Sequence, residues 1–235
     1  MSNDYNSPLL SLWKNHATDA WARYTEHNFV EGLGDGSLDR SVFMQYLIQD
    51  YLFLLHYSRA WAMAVVKAEN ESEMRTSAAI MNALINEEIQ LHIGVCEREG
   101  ITVADLNAAT EAVENLAYTR YAMDAALSGD LADLLAVLAP CMFGYGEIGL
   151  RLAAYRDNTA PLYREWIEAY CGDEYQAVCV ATATLLETAV RHRLGDDPTL
   201  NPRWVGLCQR FVQATTLEAD FWSMGFRLAS DLEQA

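Results

Sequence analysis

Basic residues are scarce in this chain: 16 Lys and Arg stand against 33 Asp and Glu among 235 residues, a formal charge of −17. A field of that sign repels phosphate backbones and anionic headgroups, so neither nucleic acid nor a membrane surface is expected as a partner. Proline and glycine, at 5 and 13 residues, are too few for a collagenous, disordered or low-complexity chain. No uninterrupted apolar run reaches the roughly 20 residues of a membrane span. The opening Met1-Ser2-Asn3-Asp4 lacks the basic-then-apolar character of a secretion signal, and a cytoplasmic location is expected. Five cysteines (Cys96, Cys141, Cys171, Cys179 and Cys208) make an odd set with no C-x-x-C pair. They argue against a disulfide framework and for small buried core residues. The five histidines form no zinc-finger or H-E-x-x-H pattern.

What the chain has is helical periodicity. Apolar residues are 51% of the total, and a chain of this length can bury roughly 70–75% of its unfolded surface, so neither disulfides nor a metal are needed for folding. Ser7-Pro8 reads as an N-cap followed by proline at the first helical position, with Leu9, Leu12, Trp13, His16, Ala17, Ala20, Trp21 and Tyr24 on one face. Residues 32–37 read as a turn. A long helix is expected from about Asp39 to Lys67 and another from about Ser72 to Gly100, with that glycine just past the end. Thr102 to Asp105 form a variant capping box. Further helices are expected at about 110–128, 130–156, 159–171, 173–194 and 202–230, separated by Gly- or Pro-marked breaks. Alternating strands, repeats and linkers are absent. Residues 1–235 are therefore expected to form a single-domain, all-α helical bundle.

The informative positions are polar groups on apolar stripes. In the second long pattern the stripe runs Phe43, Leu47, Asp50, Leu54, Tyr57, Trp61; in the last it runs Trp204, Leu207, Phe211, Glu218, Trp222, with Phe221 beside Glu218. Met81, Leu84, Glu88, Leu91 and Val95 repeat the theme around Glu88. A buried carboxylate is costly unless paired, hydrogen-bonded or neutralised, so three on separate helices point to a polar pocket inside the bundle or to structural pairs. A fourth stripe, Leu134, Leu138, Cys141, Tyr145, Ile148 and Leu152, carries a thiol just after Pro140, whose ring should bend the helix there.

Three motif matches fail on context. Gly144 to Gly149 spells G-x-G-x-x-G but lies in a helical pattern, with no preceding strand to make a dinucleotide site. Glu88 and His92 are four apart and have no second pair, so they read as a helix-face contact rather than half of a di-iron site. Asn70-Glu71-Ser72 is a glycosylation triplet without meaning in a chain expected to be cytoplasmic.

Six blocks then resemble the TenA family, also called thiaminase II or aminopyrimidine aminohydrolases. They are His27-Asn28-Phe29-Val30 with Gly34-Asp35-Gly36-Ser37-Leu38; Phe43 to Tyr51; Asn115-Leu116-Ala117-Tyr118-Thr119; Pro140 to Gly149; Trp166-Ile167 with Tyr170; and Glu218 with Phe221, Trp222 and Met224. The resemblance covers nearly the whole chain and ends on the same acids and thiol that the stripes single out. It implies a heme-oxygenase-like fold, a homotetramer, a pyrimidine pocket, and no metal or organic cofactor. It places Cys141 at the nucleophile, Glu218 at the acid, Asp50, Tyr145 and Tyr170 at substrate contacts, and Tyr118, Phe53 and Phe221 in the pocket wall.

The implied substrate is a small aminopyrimidine or thiamin, in thiamin salvage. Its 4-amino-2-methylpyrimidine carries an amine or thiazolium on the 5-methylene. Thiol addition at C6 makes an enamine that expels that group, with Glu218 protonating it and Asp50 holding the ring nitrogen and 4-amino group. The chain departs from the family pattern at Asn28, where proline is frequent, and at Phe53, where some members carry a tyrosine whose hydroxyl can help activate the thiol. Two other readings stay open: a metal-dependent oxygenase on the same fold, and a non-catalytic pyrimidine-binding regulator.

Overall fold

Ser7 accepts from the Leu10 N–H and Pro8 takes the first helical position, opening α1 (Pro8–His16) in the computed structural model, which describes residues 4–157 and 159–234. Then follow α2 (Thr18–Thr25), α3 (Asn28–Asp35), α4 (Arg40–Lys67) and α5 (Glu71–Ala83). A π-turn at Leu84–Glu88 leads into α6 (Ile89–Arg98), α7 (Val103–Ala108), α8 (Val113–Ser128) and α9 (Leu131–Leu152). The chain closes with α10 (Pro161–Cys171), α11 (Asp173–Leu194), a 3₁₀ turn at Pro198–Leu200, and α12 (Trp204–Glu233). Helices are joined by short turns and no strand occurs among the described residues, so the protein is all-α. Met1, Ser2 and Asn3, in which the absence of a secretion signal is read, and Asn158, inside the expected break at 157–161, lie outside the described residues.

Capping explains most boundaries. Asp39 caps α4 through the Ser41 N–H, Thr102 and Asp105 form the expected reciprocal box at α7, and Asp130 with Asp133 forms a second at α9. Gly100, at φ +84°, accommodates the left-handed turn that ends α6.

The central element is α9, which packs against α12, α10, α11, α8, α4 and α2. Of the described helices it is the one long and apolar enough to cross a membrane by length and composition, although the sequence shows no uninterrupted apolar run of that length. The burial of 89% of its most apolar window inside the protein shows where that apolarity is used. Each fully buried Leu, Ile or Phe on it contributes about 1.5–3 kcal/mol. Truncating the fully buried Phe143 to alanine would cost about 3–5 kcal/mol.

Three expectations need correction. The first predicted face is divided: the chain turns at Ala17, the helical phase resets, and Leu12 and His16 end up exposed while Lys14 is buried against Glu147 of α9. The predicted turn at 32–37 is mostly the end of α3. Only Gly36, at φ +79°, makes the turn, and Gly34 serves close packing, since a Cβ there would sit 2.8 Å from Leu152. The expected helix to Gly100 runs unbroken from Glu71 to Arg98 with the π-turn inside it, whereas α9 ends at Leu152 rather than 156. Pro140 lies inside α9 without ending it; the Leu138 carbonyl in the turn before it accepts from the Tyr57 hydroxyl at 2.9 Å.

Candidate active site

The three inward carboxylates come from three elements of the bundle, and each is met by a phenol. On α4, Tyr46 lies one turn before Asp50 and donates to its Oδ2 at 2.7 Å. The Tyr46 oxygen accepts in turn from Trp166 Nε1 of α10 at 3.1 Å and lies 3.4 Å from the Tyr145 hydroxyl. His92 Nε2 of α6 stands 2.7 Å from the same Oδ2, and His92 Nδ1 is 2.9 Å from the backbone carbonyl of Glu88. A carbonyl can only accept, so Nδ1 carries a proton, and an imidazolium facing the Asp50 carboxylate satisfies both bonds. Burial alone would lower the His92 pKa, but the bond and charge of Asp50 outweigh it and the pKa is raised.

Glu218 of α12 accepts from the Tyr118 hydroxyl of α8 at 2.7 Å, with both side chains buried. Burial pushes the Glu218 carboxyl up to about 8 and the charge of Asp50 adds to the rise, while the Tyr118 and Tyr24 hydroxyls oppose it. Glu218 therefore keeps its proton at neutral pH, the state a general acid needs.

Cys141 of α9 is buried, and its thiol pKa is raised well above 9, first by burial and then by the neighbouring carboxyls of Glu218, Glu88 and Asp50, whose ionised forms oppose a thiolate. The neighbouring Tyr57 hydroxyl acts in the opposite direction. The site thus holds a neutral thiol among acids rather than a preformed thiolate. Tyr24 reaches this centre because position 144 is glycine: a Cβ there would fall 2.1 Å from the Tyr24 ring. A Cβ at Gly149 would lie 2.6 Å from the backbone of Tyr170, so the G-x-G-x-x-G letters serve helix packing.

Glu88, placed by the π-turn, accepts from the Tyr170 hydroxyl of α10 at 2.7 Å. Burial pushes its carboxyl up to about 7, with His92 opposing and Asp50 adding to the rise. Aromatic rings join these groups. Phe53 packs at 5.0 Å from Tyr118 and 5.4 Å from Phe221, and Tyr145 at 4.9 Å from Tyr170. Tyr46 bridges to Phe221 at 6.1 Å. All eight residues singled out in the sequence (Cys141, Glu218, Asp50, Tyr118, Tyr145, Tyr170, Phe53, Phe221) therefore fall in one buried cluster. Beside it opens a cavity of about 240 Å³, which meets the cluster at Glu88 and Tyr170; Cys141, Asp50 and Glu218 are not among its walls.

Sequence reasoning gave no role in the site to His92, Tyr46, Trp166, Tyr57 or Tyr24, and read Glu88 with His92 as a mere helix-face contact. The two side chains do not bond each other; each reaches a different partner across the bundle. Tyr46, one turn before Asp50, was the partner that spacing alone could have found. Asn28 occupies the first position of α3, capped by His27. Proline suits that position because the N–H there has no helical acceptor, so the departure at Asn28 leaves the site untouched.

A family model described as the TENA/THI-4/PQQC family matches residues 14–228. An aminopyrimidine aminohydrolase of Halalkalibacterium halodurans is 33% identical over 211 residues, covering 89% of this chain and 92% of the relative. A crystal structure from Silicibacter, described as a TenA family transcription regulator, superposes with a TM-score of 0.91 at 55% identity, over 96% of this chain and 99% of the other. A Shewanella denitrificans domain with a heme oxygenase-like fold superposes with a TM-score of 0.70 at 13% identity, over 97% of this chain and 95% of that domain, a likeness of fold alone.

Proposed function

Because this chain belongs to the TENA/THI-4/PQQC family, we propose that it is a C–N hydrolase of thiamin salvage, releasing 4-amino-5-hydroxymethyl-2-methylpyrimidine from the 5-aminomethyl compound and from thiamin. The observation that carries the reading is a buried Glu218 that keeps its proton at neutral pH and lies close enough to the Cys141 thiol for its ionisation to raise the thiol's pKa, in an aromatic-walled centre. A held proton and a nucleophile side by side are what displacement of a poor leaving group from a methylene requires.

In this reading Cys141 is the nucleophile. Its sulfur bonds to C6 of the ring while the thiol proton passes to a ring nitrogen. The electron pair released at C5 breaks the bond between the methylene and the departing nitrogen, which takes the Glu218 proton. Water then adds to the methylene and returns a proton to Glu218. The pair at C5 expels the sulfur, which leaves with the ring proton as a thiol. Asp50, with Oδ2 held by Tyr46 and His92, orients the ring nitrogen and 4-amino group. Phe53 and Phe221 offer stacking faces, and Tyr118, Tyr145 and Tyr170 enclose the rest. The proposal extends to one domain over residues 1–235, a homotetrameric assembly and a cytoplasmic setting.

A second reading has one specific observation behind it, the Silicibacter relative described as a transcription regulator. A net charge of −17 disfavours direct contact with DNA phosphates and so favours the hydrolase. The test is a steady-state assay of hydroxymethylpyrimidine release by wild type and Cys141→Ala, with the aminomethylpyrimidine and thiamin supplied separately. Turnover that disappears in the variant supports the hydrolase. Tight pyrimidine binding by a folded wild type without turnover of either compound would overturn it in favour of the regulator.

A further inference from the structure

The cavity of about 240 Å³ beside the cluster has none of Cys141, Asp50 and Glu218 in its walls. Its walls include the carboxylates of Glu87, Glu88 and Glu174 and, among the described residues, no base. Glu87 and Glu174 are exposed, whereas Glu88 lies deeper, with Oε1 occupied by the Tyr170 hydroxyl. Oε2 of Glu88 has no hydrogen-bond partner among the described residues. An oxygen of this kind, beside a space wide enough for a heterocycle, invites a positive partner. The rings of Tyr170 and Tyr175 meet edge to face at 4.9 Å in the same wall, and aromatic faces attract organic cations. The remaining surface is largely aliphatic, which suits an organic cation better than a hydrated metal ion. Tyr170 joins this wall to the cluster, its ring lying 4.9 Å from that of Tyr145, and Met142, next in sequence to the proposed nucleophile, also lines the space.

We propose that this cavity is a subsite for the cationic group that leaves the pyrimidine, a protonated amine or a quaternary thiazolium, held by the free oxygen of Glu88 and the rings of Tyr170 and Tyr175. The inference rests on the hydrolase reading and deepens it. Glu88 recognises the departing half of the substrate, while Asp50 and Glu218 serve the ring and the bond that breaks. The acidic mouth at Glu87 and Glu174 draws the cation inward.

The experiment is calorimetric binding in a Cys141→Ala background, where turnover is blocked. Three probes are compared: thiamin, the protonated aminomethylpyrimidine, and the neutral hydroxymethylpyrimidine. Glu88→Gln keeps an acceptor for the Tyr170 hydroxyl and removes only the charge. It should weaken both cations about tenfold and leave the neutral alcohol within about twofold. Tyr175→Leu, a second route should Glu88→Gln fold poorly, should weaken thiamin more than the alcohol. Equal losses for all three probes would make Glu88 part of the pyrimidine seat and overturn the subsite, and unchanged cation affinities would overturn it as well. If the Cys141→Ala protein binds the neutral alcohol but discriminates no cation, the subsite alone fails. If it binds none of the three, the hydrolase reading fails and the subsite with it.

Discussion

Glu218→Gln offers a test that needs no substrate. In the folded protein this carboxyl titrates at about 8 against an ordinary value of 4.5, chiefly because it is buried. A carboxyl whose folded pKa is raised binds its proton more tightly in the native than in the unfolded state, so stability is highest in acid. It is lost progressively as pH rises from about 4.5 through about 8, and levels off above that. One pKa unit corresponds to about 1.4 kcal/mol, so this single group should remove about 2–3 kcal/mol of stability between about pH 6 and pH 9. Glutamine keeps an oxygen to accept from Tyr118 but has no proton to lose. The variant's urea-unfolding free energy should therefore fall less steeply with pH than wild type, the gap widening by about 2–3 kcal/mol across that range. Glu88 and His92 titrate in both proteins and cancel in the difference. Parallel curves for the two proteins would show that Glu218 is already ionised at neutral pH and would refute its assignment as the proton donor. The same ionisation should set the alkaline limb of kcat/KM near pH 8 in the wild type.

Other consequences concern the surroundings of the site. Tyr57→Phe removes a hydroxyl that pushes the Cys141 pKa down, so alkylation of Cys141 should be slower at a given pH and its profile displaced to higher pH; an unchanged profile would detach Tyr57 from the thiol. Gly144→Ala drives a methyl into the Tyr24 ring and should cost about 1–3 kcal/mol or more in urea unfolding; a neutral outcome would show that Tyr24 can yield freely. Arg193 of α11 binds both oxygens of Glu73 on α5 at 2.9 and 3.0 Å, with both side chains buried. Arg193→Met alone should cost about 3–5 kcal/mol by stranding the carboxylate, and adding Glu73→Leu should recover much of it; a double variant no better than the single would count against that cause.

The sequence by itself determined the fold class, most helix ends and the inward position of Asp50, Glu88, Cys141 and Glu218. These depend on a helical repeat and on caps that act within a turn of their own residue. It also carried the family resemblance, because the blocks at Tyr118, Cys141 and Glu218 survive as contiguous letters. What periodicity could not decide was who meets whom across the bundle. Asp50 with His92, Glu88 with Tyr170, and Glu218 with Tyr118 join residues 42, 82 and 100 positions apart. Such pairings depend on the rotation and offset of each helix against its neighbours. The turn at Ala17 and the π-turn at Leu84–Glu88 are likewise tertiary decisions, since nothing in the local spacing breaks there. Because the protonation of Glu218 and the neutrality of the Cys141 thiol follow from burial among those partners, the chemical state of the site came only with the packed structure, while the residues that compose it were already legible in the chain.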